Sequence, residues 1–233
     1  MTLLTIVQDA AIEVGFPSPI TVIGNTDQAA LQMTRLLMRE GDTLARHEWQ
    51  SLKKEHTFTL VAGTQTYALP TGFRFIIPQS SWNRDNKRAI QEPLTSEEWQ
   101  YLKGWSTVGS LNLRARIRND LYEFEQTITA ADNGKTIAFE YMSSQWIESA
   151  TGTAQSAFLA DTDATILDEE LLTQGLAWRF KKAKGLDWKE DFIEYTSTVN
   201  KAKARDGGSR MLRLGRSKPA YLGANTPEGN YGS

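Results

Sequence analysis

Residues 167–208 read LDEELLTQGLAWRFKKAKGLDWKEDFIEYTSTVNKAKARDGG, two amphipathic helical patterns joined at one glycine. Asp168 is a good helix-capping residue. After it, Leu171, Leu172, Gly175, Leu176, Phe180 and Ala183 recur at helical spacing on one side. Gly185 stops that run, as a glycine just past the last periodic residue does. A second run starts at Trp188 and spaces Phe192, Tyr195, Val199 and Ala202 along one buried stripe. Gly207-Gly208 ends it. The C-terminal segment beyond has no core of its own. From Lys201 to Lys218 the chain carries Lys201, Lys203, Arg205, Arg210, Arg213, Arg216 and Lys218 against a single acid, Asp206. Met211, Leu212 and Leu214 alternate with Arg213 as a short strand would, and residues 219–233 are too rich in Gly, Pro and Asn to bury enough surface to fold alone.

Two amphipathic faces at the end of the chain need covering, and the beginning supplies two more. Thr2 can cap a helix whose apolar face is Leu3, Ile6, Val7, Ala10 and Val14, closed by Gly15 and Pro17. Asn25-Thr26-Asp27 starts another, with Ala30, Leu31, Met33, Leu37, Leu44 and Ala45 on its apolar side, running to about Arg46. Gly41 interrupts this helix at a cost of roughly 1 kcal/mol relative to alanine, so a bend or a close contact is expected there.

Past His47 the period changes from helix to strand. Thr57–Leu60 and Tyr67–Leu69 flank Gly63-Thr64-Gln65 and read as a hairpin. Phe73–Ile77 is a third strand, Asn83–Lys87 a polar turn, and Glu97–Lys103 a short helix capped at Thr95 or Ser96 and closed by Gly104. Leu111–Ile117 and Leu121–Phe124 alternate around Asn119-Asp120, and Thr136–Tyr141 comes after the turn Asp132-Asn133-Gly134. Residues 148–165 form a connecting loop with one edge strand at Ala157-Phe158-Leu159. The fold class is therefore α+β: a four-helix bundle of two N-terminal and two C-terminal helices (1–54 and 148–206), an inserted antiparallel β sheet or small barrel (55–147), and an extended C-terminal arm (207–233).

Composition removes several function classes. The chain has 233 residues, 40% hydrophobic and 23% charged, with Lys+Arg 26 against Asp+Glu 28 and net charge −2, so a bulk polyanion-binding surface is not implied. Cysteine count 0 excludes disulfides and thiolate metal sites. The N-terminus lacks a basic region and carries Asp9 and Glu13, so no signal peptide is expected. No run approaches the ~18 apolar residues of a membrane span. The two histidines, His47 and His56, fit no zinc spacing. Gly134-Lys135-Thr136 matches only the end of a phosphate-binding loop and sits in a β-turn. The acidic block Glu148, Asp161, Asp163, Asp168, Glu169 and Glu170 is explained by capping and turn chemistry rather than by a calcium loop. The seven tryptophans are scattered over the chain, as core and contact residues are. No catalytic residue, metal ligand or cofactor site is assigned.

The residues assembled so far resemble the head-to-tail adaptor proteins of tailed bacteriophages, the class that includes podophage tail tubular A-type and portal-adjacent connector proteins. The resemblance rests on Leu3–Gly15, on Phe58-Thr59-Leu60 through Tyr67-Ala68-Leu69-Pro70 with Gly72-Phe73-Arg74, and most closely on Leu167–Phe180 with Lys184-Gly185-Leu186-Asp187-Trp188 and Tyr195 after it. It implies a non-enzymatic virion protein in the neck. About twelve copies would form a ring beneath the portal, a heterologous interface closing on itself, with double-stranded DNA passing through the lumen without sequence-specific binding. The C-terminal arm, through Arg210, Met211, Leu212, Arg213, Leu214, Arg216 and Tyr221, would dock on the portal, and the sheet region would meet a tail, nozzle or neck component. Asp161, Asp163, Glu169 and Glu170 on one side, with Lys201 and Arg205 on the other, are the expected subunit contacts. The rival readings are a nucleic-acid-binding protein using the basic C-terminal segment, which demands steeply salt-dependent duplex affinity, and a hydrolase using two converging carboxylates.

Overall fold

A computed structural model of the chain describes residues 2–92, 94–104 and 113–207. Over these residues the fold is α+β, with helices α1 (Leu3–Val14), α2 (Gln28–Leu44), α3 (Ser96–Gly104), α4 (Glu169–Lys184) and α5 (Lys189–Gly207). The strands are β1 (Lys53–Thr59), β2 (Thr66–Ala68), β3 (Phe73–Ile76), β4 (Trp82–Asn83), β5 (Arg88–Ala89), β6 (Ala115–Arg118), β7 (Leu121–Phe124), β8 (Thr136–Ser143), β9 (Ile147–Glu148), β10 (Ala154–Gln155) and β11 (Ala164–Thr165), in three antiparallel sheets.

α4 is apolar on more than one side, and the fold uses all of it. Leu171, Leu172, Gly175, Leu176, Ala177, Trp178 and Phe180 are buried because α4 packs against α1, α2 and α5 at once. Its ends are set as the residues predict: Asp168 accepts from the Glu170 amide, and Gly185 closes the helix in the left-handed conformation, φ 74°. The link to α5 is short, so α5 folds back antiparallel along α4, bringing Trp178 to Tyr195 and Lys181 to Asp191 at 2.8 Å. α1 starts from a reciprocal cap between Thr2 and Thr5 and buries Leu3, Ile6, Val7, Ala10 and Ala11. α2 is capped by Asp27 and buries Ala30, Met33, Leu37, Glu40, Gly41 and Leu44. Leu31, expected on that apolar face, is instead 50% exposed.

The close contact expected at Gly41 is with an indole. Trp146, wholly buried, lies so near α2 that a Cβ on Gly41 would overlap its ring, and its Nε1–H donates to Asp42 at 3.0 Å. Trp146, Met142 and Leu52 thereby join the helical core, while Leu60, Ile76, Tyr122, Phe124, Ile137, Phe139 and Tyr141 make a second, aromatic core among the strands. β8 is the spine of the larger sheet. β1 pairs along it from Lys53 opposite Met142 to Thr59 opposite Thr136, while β3 and β4 share its other edge.

Two strand readings need correction. β1 and β2 both exist but do not pair as a hairpin: β1 bonds β8, and β2 bonds β7 in a separate sheet with β6. The loop between them is recruited by a distant segment, with Leu60 N–H donating to Lys135 O and Gly63 N–H to Ile128 O, so it carries the chain from one sheet to the other. Residues 157–159 are not an edge strand. Phe158 is buried edge-on against Trp146, and the strands of this region are β9, β10 and β11. The segments expected on either side of Asn119-Asp120 do pair, with β7 at Leu121–Phe124 and β6 beginning at Ala115 rather than Leu111 (residues 111 and 112 lie outside the described residues); both turn residues have positive φ, 52° and 56°, matching a two-residue hairpin turn.

Candidate assembly surfaces

Three features of the helical part bear on assembly, and the first is internal. Glu40 is completely buried on α2, and its carboxylate accepts from Arg179 Nε–H of α4 and from the Tyr195 hydroxyl of α5. Gly175 makes room for it, since a Cβ there would come within 2.5 Å of Glu40 Cγ. Burial, the adjacent carboxylate and the hydrogen bond to it all push the Tyr195 phenol well above its ordinary value, so it stays protonated and donates to Glu40. One carboxylate thus fixes three helices relative to one another. Sequence reasoning passed over Glu40; a charged residue standing among Leu37, Gly41 and Leu44 on the apolar face of α2 was the available signal.

The second feature is an acidic groove of about 780 Å³ between α1 and the start of α4. Its carboxylates are Asp9 and Glu13 from α1, Asp168 from the cap of α4, and Glu169 and Glu170 from its first turn, with no Lys or Arg among the described residues that line it. The α4 acids stand at a helix N-terminus, where the dipole favours them; Asp9 and Glu13 have no such reason. Desolvation raises the Glu13 carboxyl above the usual range; Lys181 opposes this, and Asp191 and Glu194 add to it. Among the four acids expected at a subunit contact, Glu169 and Glu170 line this groove. Asp161 and Asp163 serve the chain itself: Asp161 accepts from the Val22 and Ile23 amides, and Asp163, buried, accepts from the Leu159 and Ala160 amides.

Lys201 and Arg205 are exposed one turn apart on the last turns of α5. Asp206 accepts from the Gln50 amide at 2.8 Å, which ties the end of α5 to the start of β1. The arm therefore departs from the level where the helical part meets the strands. Arg210, Met211, Leu212, Arg213, Leu214, Arg216 and Tyr221 lie outside the described residues.

The third feature, also unremarked in the sequence, is the outer face of α2. Arg35 and Arg39 are exposed there one turn apart, on the side opposite the buried Met33, Leu37 and Leu44, and Arg46 is exposed in the turn just past the end of the helix. Arg74 of β3 joins them, close enough to Asp42 and Arg46 to feel both charges; desolvation lowers its guanidinium pKa, and Nη1 is buried without an acceptor.

Among the described residues no group of three His, Cys, Asp or Glu side chains has a metal-holding arrangement, and no helix is long and apolar enough to cross a membrane. No curated protein matches the chain. The sequence model of the SU10 adaptor protein family matches residues 1–221, which takes in both helical pairs, the strands between them and the arm as far as Tyr221. The chain therefore belongs to the SU10 adaptor protein family and is a phage head-to-tail adaptor, a component of the virion neck.

Proposed function

We propose that the adaptor forms a ring of about twelve subunits beneath the portal, docks on it through the C-terminal arm, and leaves a lumen through which the genomic duplex passes without sequence-specific contact. The observation that carries this reading is the separation of charge along the chain: an acidic groove at the start of α4, and a basic run that begins on the exposed end of α5 and continues into the arm. Complementary faces on one chain suit a heterologous interface, where one patch meets a different patch. Residues 1–54 and 148–206 act as the four-helix platform, residues 55–147 as the projecting part that meets a tail or neck component, and residues 207–233 as the docking arm. Arg210, Arg213 and Arg216 pair with portal acids, with Met211, Leu212, Leu214 and Tyr221 as apolar anchors. Glu169, Glu170, Lys201 and Arg205 serve contacts between subunits, and no step of the role needs catalysis.

The test is solution mass by light scattering, on the chain alone and with the portal of the same phage. A complex that is lost on deletion of residues 208–233, and weakened by R210E/R213E/R216E, is the expected result. A full-length chain indifferent to the portal would overturn the docking role.

A further inference from the structure

We infer that the arginine face of α2 is the mate of the acidic groove on a second copy of this chain. The inference rests on the ring reading above and divides the groove between two mates: its α1 acids, Asp9 and Glu13, face the α2 arginines, while Glu169 and Glu170 at the start of α4 remain the acids for Lys201 and Arg205. Arg35 and Arg39 stand roughly 6 Å apart along the helix at the normal rise per residue, Arg46 follows in the turn after it, and Arg74 of β3 lies close enough to Arg46 to feel its charge. Among the described residues, none of Arg35, Arg39 or Arg46 has an ion-pair partner. Asp42, the acid that α2 itself places on that side, already accepts from Trp146. Arg74 presents a buried N–H that lacks an acceptor. Arg35 and Arg39 thus line one face of α2, with Arg46 and Arg74 close to one another at its end, an arrangement that like-charge repulsion disfavours in the isolated chain.

The complementary surface is on the same molecule but cannot be reached by it. α2 turns Glu40 toward α4, where it meets Gly175, Arg179 and Tyr195, so its arginines look away from α4; the groove opens between α1 and α4. The two therefore lie on different flanks, which is the geometry of head-to-tail association. The acidic side also presents a run on one helix face, Asp9 and Glu13 being one turn apart on α1. Each charged surface has one solvent-exposed aliphatic residue beside it: Leu31, 50% exposed, one turn before Arg35, and Ile12, 67% exposed, next to Glu13 at the edge of the groove-lining residues. An apolar contact inside a charged rim is the ordinary composition of a specific interface. The favoured partner is a second copy rather than a nucleic acid, because the fitting acidic surface is present in the same chain and the net charge of −2 gives no general attraction for phosphate.

The experiment is light scattering of the full-length chain, alone and with the portal, at low and high salt. The variants are R35E/R39E/R46E, the milder R35Q/R39Q/R46Q, D9K/E13K, and the combined reversal of both faces. Every substituted residue is exposed, and the acids chosen avoid the α4 cap, so circular dichroism should be unchanged. Self-association of the wild-type chain should fall at least about tenfold in either reversal, fall less in the glutamine variant, weaken with salt, and return in the combined reversal. Assembly that proceeds unaltered in R35E/R39E/R46E overturns this contact and leaves the adaptor reading standing. A single reversal that disrupts assembly without rescue by the other face also overturns it. A wild-type chain that stays monomeric with and without the portal removes both readings. Loss of duplex-DNA binding, with self-association intact, would reassign the stripe to phosphate.

Discussion

Replacing Glu40 is the sharpest test of how the helical part is held together. In E40A the Arg179 guanidinium keeps only its approach to the Trp178 ring, 4.6 Å from the centroid, while its side chain stays 15% exposed. Tyr195, itself buried, loses the acceptor of its hydroxyl. Breaking a buried pair by removing one partner costs about 3–5 kcal/mol, because the stranded charge retains its desolvation penalty. In a chain of this size each kcal/mol lowers Tm by about 2–4 °C, so E40A should melt about 6–20 °C below wild type. The double variant E40M/R179M removes both charges and fills the space with flexible apolar side chains; it should recover most of that loss. Thermal unfolding by circular dichroism on the wild type, E40A, E40M, R179M and E40M/R179M checks both points. An E40A transition within about 2 °C of wild type, or an R179M/E40M pair whose effects simply add to within about 0.5 kcal/mol, would refute the account of Glu40 as the residue that fixes α2, α4 and α5.

Burial raises the Glu92 carboxyl to about 7, even though the Tyr122 hydroxyl donates to it at 2.5 Å. The folded chain therefore holds a proton that the unfolded chain releases near pH 4.5: the stability it contributes is complete below 4.5, and up to about 3 kcal/mol is lost as pH rises through 7. His56, lowered by burial, has the opposite sign, so the measurement is the difference in stability between wild type and E92Q from pH 4 to about 8. It should shrink as pH falls if Glu92 is the group responsible. G41A should cost about 1–3 kcal/mol, since the added methyl must displace the Trp146 ring; an unchanged denaturant midpoint would show that α2 and Trp146 are not in contact.

Much of the helical part was legible because its signals are local. Thr2, Asp27, Asp168, Gly15 and Gly185 cap or stop helices through bonds to residues within one turn, and each stands where its chemistry places it. The Asn119-Asp120 hairpin was legible for the same reason. Strand pairing was not. Nothing near Gly63 says that its amide will bond Ile128, and a partner more than sixty residues away leaves no periodicity in the loop itself. The edge strand expected at 157–159 failed because Phe158 serves as a core residue under Trp146 rather than as a strand residue. Among the candidate site residues, the acids were visible as a block, but Asp161 and Asp163 turned inward to hold backbone amides. Asp9 and Glu13, remote in sequence, complete the groove with Glu169 and Glu170. Grouping by proximity in sequence cannot find such a set; only the packing of α1 on α4 does.

The pairing of β1 with β8 has a further consequence. The chain leaves the helices at Lys53 and comes back at Met142, and these two residues face each other across adjacent strands. The exit and return points are therefore about 4.8 Å apart, one interstrand spacing. Any foreign module whose ends lie that close could be spliced into the same base without disturbing the contacts among α1, α2, α4 and α5. The fold is thus arranged as a handle with an exchangeable head: the strands between Lys53 and Met142 can be replaced wholesale while the helices keep their own packing.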